Sequence, residues 1–238
     1  MIFYRGALRH YTMIERRMPV IVAMIAEKGG AGKTMLATSL AGMRSSAGNR
    51  TLLIDADRQG SSHYWAQTRS EFRLPPVDST SLYGEAFARQ IAALSSRYDD
   101  VVIDTGAGDS SEMETALRSA DCVIAPLQPA GVDVWTMGLV DARVAAALDR
   151  NPGLRPWALF NRASANPRNR DEAEARAALQ GCAALRVADI RICDRVAFRR
   201  ALTAGRRCTS IRRAPAGRGR RWRRCTSSPL ENLTRTAE

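Results

Sequence analysis

Eight residues constrain this chain more than any others: Glu27-Lys28-Gly29-Gly30-Ala31-Gly32-Lys33-Thr34, set between the apolar run 20–26 (VIVAMIA) and a helix-like stretch at 33–47. A strand that turns through glycines and continues as a helix gathers backbone N–H groups at the positive end of the helix, and so cradles phosphate. In such a loop Lys33 reaches the β- and γ-phosphates and the Thr34 hydroxyl ligates Mg²⁺. The common form of the loop has Gly five residues before the Gly-Lys pair, where Glu27 stands here. A second lysine, Lys28, follows it. Composition singles out both: the chain has 34 Arg and two Lys, and both Lys lie in this loop. A compact ammonium is not interchangeable with a planar guanidinium where a tight cradle must close.

The rest of the chain repeats the same alternation. Apolar runs at 51–55 (TLLID), 100–104 (DVVID), 121–125 (DCVIA) and 156–160 (PWALF) are separated by helix-like segments at 61–70, 84–97, 111–119, 135–149 and 169–180. Continuous apolar strands joined by helices predict an α/β fold, a doubly wound, mostly parallel sheet with helices on both faces. Ligands of such sheets bind beyond the strands' carboxyl ends, and Gly and Asp residues follow strands one, two and three. Stretches 71–80 and 161–171 read as irregular insertions. At 238 residues and 45% apolar the chain suits one domain, and it has no apolar run long enough to span a membrane.

The net charge of +12 suggests nucleic acid, but it sits at the ends. Residues 1–17 carry +3, residues 206–238 carry +8, and the body between is nearly neutral. We expect 1–17 to be a disordered extension or a misassigned start before Met18, 18–205 to be the folded domain, and 206–238 to be an irregular Arg-rich tail. That tail loses hydrophobic period and repeats Arg-Cys-Thr-Ser at 207–210 and 224–227, which reads as out-of-frame translation; an Arg-rich DNA-binding arm is the competing reading. The five Cys and two His have no metal-ligand spacing, and a reducing cytoplasm fits. Trp65, Trp135 and Trp157 are expected in core or dimer packing, and His63 on a solvated helix face. Arg195, Arg199 and Arg200 fall at i, i+4 and i+5, so a helix would present a basic stripe to DNA phosphates while Val196 and Phe198 turn inward.

Four motifs in order resemble the ParA/MinD family of deviant Walker A ATPases. The loop matches its Lys-Gly-Gly-x-Gly-Lys-Thr, and Leu53 to Gly60 (LIDADRQG) is similar to its Asp-x-Asp-Pro-Gln motif, with Arg58 in place of Pro. Asp99 to Thr105 (DDVVIDT) resembles its Walker B strand. Ala125 to Pro129 (APLQP) and Phe160-Asn161-Arg162 resemble later strand ends. The likeness covers about residues 18–205. Length and the turn Asp104-Thr105-Gly106-Ala107-Gly108 look most like the small ParF-type partition ATPases.

That resemblance implies a P-loop NTPase fold binding ATP and Mg²⁺ and hydrolysing ATP slowly in plasmid or chromosome partition. It also implies an ATP-dependent homodimer, non-specific DNA binding, a small DNA-binding partner protein that stimulates hydrolysis, no membrane, and a cytoplasmic, nucleoid-associated location. By the same resemblance Lys28, Gly29, Gly30, Ala31, Gly32, Lys33, Thr34 and Met35 hold the nucleotide. Lys28 acts across the dimer, Asp57 orients the attacking water, and Thr34, Asp55 and Asp104 serve the metal, Asp104 through water. Asn161 matches the adenine-reading Asn, against a plain loop-capping Asn. Three rivals are a MinD-like positioning ATPase, which ends in an amphipathic helix, an amidoligase of the cobyrinic-acid-diamide-synthase type, which needs a glutaminase domain, and a non-enzymatic Arg-rich DNA-binding protein, which needs no ATP.

Overall fold

The apolar runs form the middle of a single sheet in a computed structural model, which describes residues 19–108, 110–129, 131–166, 169–194, 196–206 and 212–213. In chain order the elements are β1 (Val20–Met24), α1 (Lys33–Ser46), β2 (Thr51–Ala56), α2 (Ser61–Glu71), β3 (Asp78–Ser81), α3 (Gly84–Ser95), β4 (Asp100–Thr105) and α4 (Ser111–Ser119). There follow β5 (Cys122–Leu127), α5 (Gly131–Leu148), β6 (Arg155–Ala163), α6 (Asp171–Ala178), β7 (Arg186–Cys193), α7 (Val196–Thr203) and β8 (Arg212–Arg213). The sheet order is β3-β2-β4-β1-β5-β6-β7-β8. Every pairing is parallel except that of β8, which runs antiparallel to β7.

Alternate residues of the strands feed two cores. Ile25, Ile54, Ile103 and Phe160 point to one face, where α3, α4, α5 and α6 supply Phe87, Met113, Met137 and Ala175. Met24, Leu53, Val102 and Leu159 point to the other, where α1 and α2 supply Leu36, Leu40 and Trp65 and α7 lays down Ala201 and Leu202. Strands apolar on both sides thus take a helical layer on each. The chain winds outward in both directions from β1, so the strand order reverses beside it, which is where doubly wound sheets bind ligands.

Three strands differ from the sequence expectation. β3 falls in the stretch read as an insertion: it is four polar residues at the sheet edge, with no apolar face to betray it. β7 escapes a reading by pattern because Arg186, Asp189 and Arg191 interrupt its apolar residues; Arg191 is nonetheless buried, paired with Glu172 of α6. β8 lies within the tail expected to be irregular, and gives β7 a hydrogen-bonded neighbour at what would be an open edge. β6 runs on through Asn161 and Arg162 into the second supposed insertion. α5 begins four residues earlier than the periodicity suggests, and α6 closes in a 3₁₀ turn at Leu179–Gly181.

Candidate functional site

The carboxyl ends of β1, β2 and β4 meet in register, Asp55 beside Asp104 and Asp104 beside Met24. Thr105 Oγ1 donates to the Met24 carbonyl at 2.8 Å and ties two of these ends together. Over them arches the loop 27–34. Gly30 and Gly32 hold φ of 85° and 96°, a region L side chains rarely adopt. At Gly32 space forbids a side chain too, since a Cβ there would lie 2.2 Å from Asn161 Nδ2. α1 then starts with neither a capping side chain nor an acid in its first turn. Its first amides are therefore left for an anion.

Lys33 opens α1 and is only 7% exposed. Burial lowers its pKa, while the nearby Asp104 and Asp57 carboxylates pull it back up. Asp104 is fully buried, and neither carboxylate oxygen has a hydrogen-bond partner. Burial pushes its pKa up to about 7, helped by Asp55; Thr34, Lys33 and Ser62 are near enough to oppose the shift. A dry, unpartnered carboxylate is costly unless something cationic completes it. Oxygen donors from Asp104 and Thr34 beside a phosphate cradle suit Mg²⁺, which takes one or two protein ligands and fills its shell with phosphate and water. Among the described residues no cluster of three or more His, Cys, Asp or Glu offers a fuller protein cage.

The two carboxylates of the second Asp motif have different surroundings. Asp55, expected beside the metal, is fully buried with both oxygens engaged by its own loop. The Asp57 N–H donates to Oδ1 at 3.1 Å and the His63 N–H to Oδ2 at 2.8 Å. It organises the turn into α2. Asp57 lines the cleft, with one oxygen accepting the Gln59 N–H at 3.0 Å. Arg58, in the position where Pro is usual, lays its guanidinium 5.4 Å from the Tyr83 ring centre, and Tyr83 Oη donates to the Asp57 carbonyl at 3.3 Å. His63 is half-buried; its ring nitrogens meet Ser79 Oγ and Gln67 Nε2.

The cleft below the loop encloses about 590 Å³ and is walled by Gly29, Gly30, Gly32, Lys33, Thr34 and Met35 on the loop side. Across it stand Asp57, Gly106, Ser110, Glu112 and Arg162. Lys28 is exposed at the start of the loop and is not part of this wall, while Ala31 is buried. Asn161, expected at the base, is fully buried and donates from Nδ2 to the Ala31 carbonyl at 2.7 Å, leaving Oδ1 without a partner. It braces the loop from below, and with Met35, Cys193 and Leu202 lines a smaller cavity of about 80 Å³. Sequence reasoning missed Ser62, Glu112 and Arg162. Only Arg162 carried a signal, by following Asn161.

The basic stripe is partly in view. α7 forms with Arg200 exposed; Arg195 lies outside the described residues, and so do the side chains of Val196 to Arg199. Trp65 is buried in the core and Trp157 is half-buried against it, while Trp135 falls on the outer face of α5 and is 78% exposed in the single chain, so of core or dimer packing only the second applies to it.

Comparison with known proteins follows the same lines. The family described as the CobQ/CobB/MinD/ParA nucleotide binding domain matches residues 22–207. A protein of Gloeobacter kilaueensis named maintenance of carboxysome distribution protein A is 36% identical over 119 residues, 49% of this chain and 52% of that protein. The chain thus spans about half the length of this curated relative. An ATP-bound McdA variant from Cyanothece superposes with a TM-score of 0.62 at 16% identity, covering 80% of this chain and 89% of that one. A plasmid partition protein of Borrelia burgdorferi bound to AMPPNP gives 0.60 at 21%, covering 80% and 91%. At such identities the likeness shows the fold.

Proposed function

The chain belongs to the CobQ/CobB/MinD/ParA nucleotide-binding domain family, and from that premise we propose that it is a ParA-like ATPase that binds and slowly hydrolyses Mg·ATP, dimerises on ATP and positions a plasmid or chromosome. The observation that carries this reading is Asp104, a fully buried carboxylate without a partner, beside Lys33 and Thr34 at the uncapped start of α1. Thr34 and Asp104 would hold Mg²⁺, which neutralises phosphate charge in the reaction. Lys33 and the loop amides bind the β- and γ-phosphates, and Asp57, aimed into the cleft, orients water. Lys28 is exposed outside the cleft wall, which supports a role on the nucleotide of a second subunit. Residues 18–205 are the unit we assign to this work, with the α7 arginines meeting DNA and a small DNA-binding protein stimulating hydrolysis.

Lys33→Ala tests the reading first. The variant should lose ATP binding by at least about a hundredfold, since a buried charge partner of phosphate is removed. Binding as tight as in the parent would overturn the loop assignment. Dimerisation is tested separately, by sedimentation with ATP in an Asp57→Ala background that suppresses turnover. Adding Lys28→Ala should leave a monomer; a persisting ATP-dependent dimer removes the role in trans. A second reading, in which the cargo is a protein-bounded compartment, is favoured by the 36% match to a carboxysome distribution protein. Deleting the gene separates the two, because plasmid loss marks the first reading and misplaced compartments mark the second.

A further inference from the structure

Glu27 stands at the entry of the phosphate loop, where the common form has glycine, and it is not part of the cleft wall. A carboxylate in that place is a liability, because the loop gathers positive groups to receive negative phosphates. The charge is answered from α5. Glu27 Oε2 lies 3.5 Å from Arg143 Nε, with side chains 19% and 28% exposed respectively. Oε2 is itself buried and makes no hydrogen bond, so the charge of the guanidinium is what balances it. The helix that presents Arg143 is fixed. Val140 and Val144 are buried in the core on either side, and Asp141 accepts the Ala183, Ala184 and Leu185 N–H groups at 3.0, 3.0 and 2.8 Å. The loop entry is fixed from β4 as well, where the Gly108 N–H donates to the Ala26 carbonyl at 3.1 Å. Arg143 also borders a cavity of about 120 Å³ floored by Met113, Leu117 and Ala147. Charges held among such groups are screened less than those on an open surface.

We propose that Arg143 is a positioning residue for the nucleotide: by holding and neutralising Glu27 it keeps the loop entry from repelling phosphate, and so sets how strongly the cleft prefers a triphosphate to a diphosphate. The inference rests on the ATPase reading and deepens it. Arg143 is not in the cleft wall, so it acts through Glu27 and not on the nucleotide itself. With its partner gone, Glu27 would leave a buried negative charge at the mouth of the phosphate cradle. The γ-phosphate brings further negative charge to that cradle, so ATP suffers from an uncompensated Glu27 more than ADP does. Removing the acid instead leaves a guanidinium near the phosphates, which costs binding nothing. The pair is therefore asymmetric: loss of the arginine harms the site, and loss of the glutamate does not.

The test titrates the full chain with ATP and with ADP in the presence of Mg²⁺, by calorimetry. Arg143→Gln removes the charge and should weaken ATP about tenfold and ADP by less, with KM for ATP rising and kcat nearly unchanged. Arg143→Lys should restore most of the loss. Glu27→Gln should bind ATP at least as tightly as the parent, and joined to Arg143→Gln it should bring the affinity back. Salt at about 0.5 M should shrink the loss in Arg143→Gln, because the repulsion is screened. Undiminished ATP binding by Arg143→Gln, an equal loss of ATP and ADP, or a double variant as weak as Arg143→Gln overturns the inference and leaves the ATPase reading standing. Where Arg143→Gln does not fold, Glu27→Gln decides: ATP binding weaker than the parent's would make the pair a mere strut of the loop and overturn charge compensation. A parent that binds neither nucleotide overturns the ATPase reading, and the inference falls with it.

Discussion

Holding a buried carboxylate without a partner costs the fold free energy, and Asp104 is held that way at the centre of the site. With its pKa raised to about 7 by burial, its folded value lies above the unfolded one. The sign follows from linkage: between roughly pH 4 and pH 7 the native state binds more protons than the unfolded chain, so stability falls as pH rises through that window. Asp104→Asn should therefore raise the melting temperature of nucleotide-free protein at pH 8 and change it little at pH 4. The same variant should lose most of the thermal shift that Mg·ATP gives the parent, because the cation's buried ligand is gone. A variant no more stable than the parent at pH 8 would mean that Asp104 is already satisfied. The adjacent glycine makes a steric case. Gly32→Ala needs a left-handed alanine and drives Cβ into Asn161, so the variant should lose nucleotide binding even if it folds. These residues were legible in the sequence as types in an order: a strand, glycines, Lys-Thr, then carboxylates at strand ends. Their surroundings were not, because nothing in the spacing of Asp55 and Asp57 says that one is buried under the first turn of α2 while the other lines the cleft.

At the scale of elements, α2 links the site to the end of α7. Its first turn hangs from Asp55 through the His63 N–H. Its last turn carries Arg69, 2% exposed, which donates to the Pro75 carbonyl at 2.7 Å and the Gly205 carbonyl at 3.0 Å and stacks 5.4 Å from the Trp65 ring. Gly205 fits there only as glycine, with φ of 59° and a would-be Cβ 2.6 Å from the Arg69 backbone. This clip fastens the end of α7 to α2. Arg69→Leu should strip buried acceptors and destabilise the fold by about 3 kcal/mol in urea unfolding. Gly205→Ala should act through the same contact, so the double variant should lose less than the sum of the two singles; simple additivity would deny the clip. No periodicity could reveal it. An arginine in a helix beside Trp65 reads as surface, and only the return of the chain 136 residues later makes it interior. The same holds for β7, whose Arg191 is buried against Glu172 of a helix that sequence alone does not place beside it.

For the whole molecule the charge distribution decides where DNA can be held. The folded body is nearly neutral and the arginines crowd the ends, yet α7 carries the exposed Arg200 on an element packed to the core through Ala201 and Leu202. A cation on a packed helix can be presented twice by a dimer, whereas a tail binds with or without nucleotide. The boundary for separating them is set by structure. The Arg206 carbonyl accepts from Trp65 Nε1 at 3.4 Å, and Arg212–Arg213 pair with β7, so a cut after Gly205 would damage the body. A cut after Arg213 removes six arginines and two glutamates and leaves those hydrogen bonds intact. We expect that truncated protein to keep ATP-dependent, sequence-independent DNA binding. Arg199→Ala with Arg200→Ala should then lower the slope of log affinity against log salt by about two, one for each phosphate left without its arginine. If instead DNA binding disappears with residues 214–238 while ATP turnover persists, the tail is what holds DNA and α7 is a solvated face.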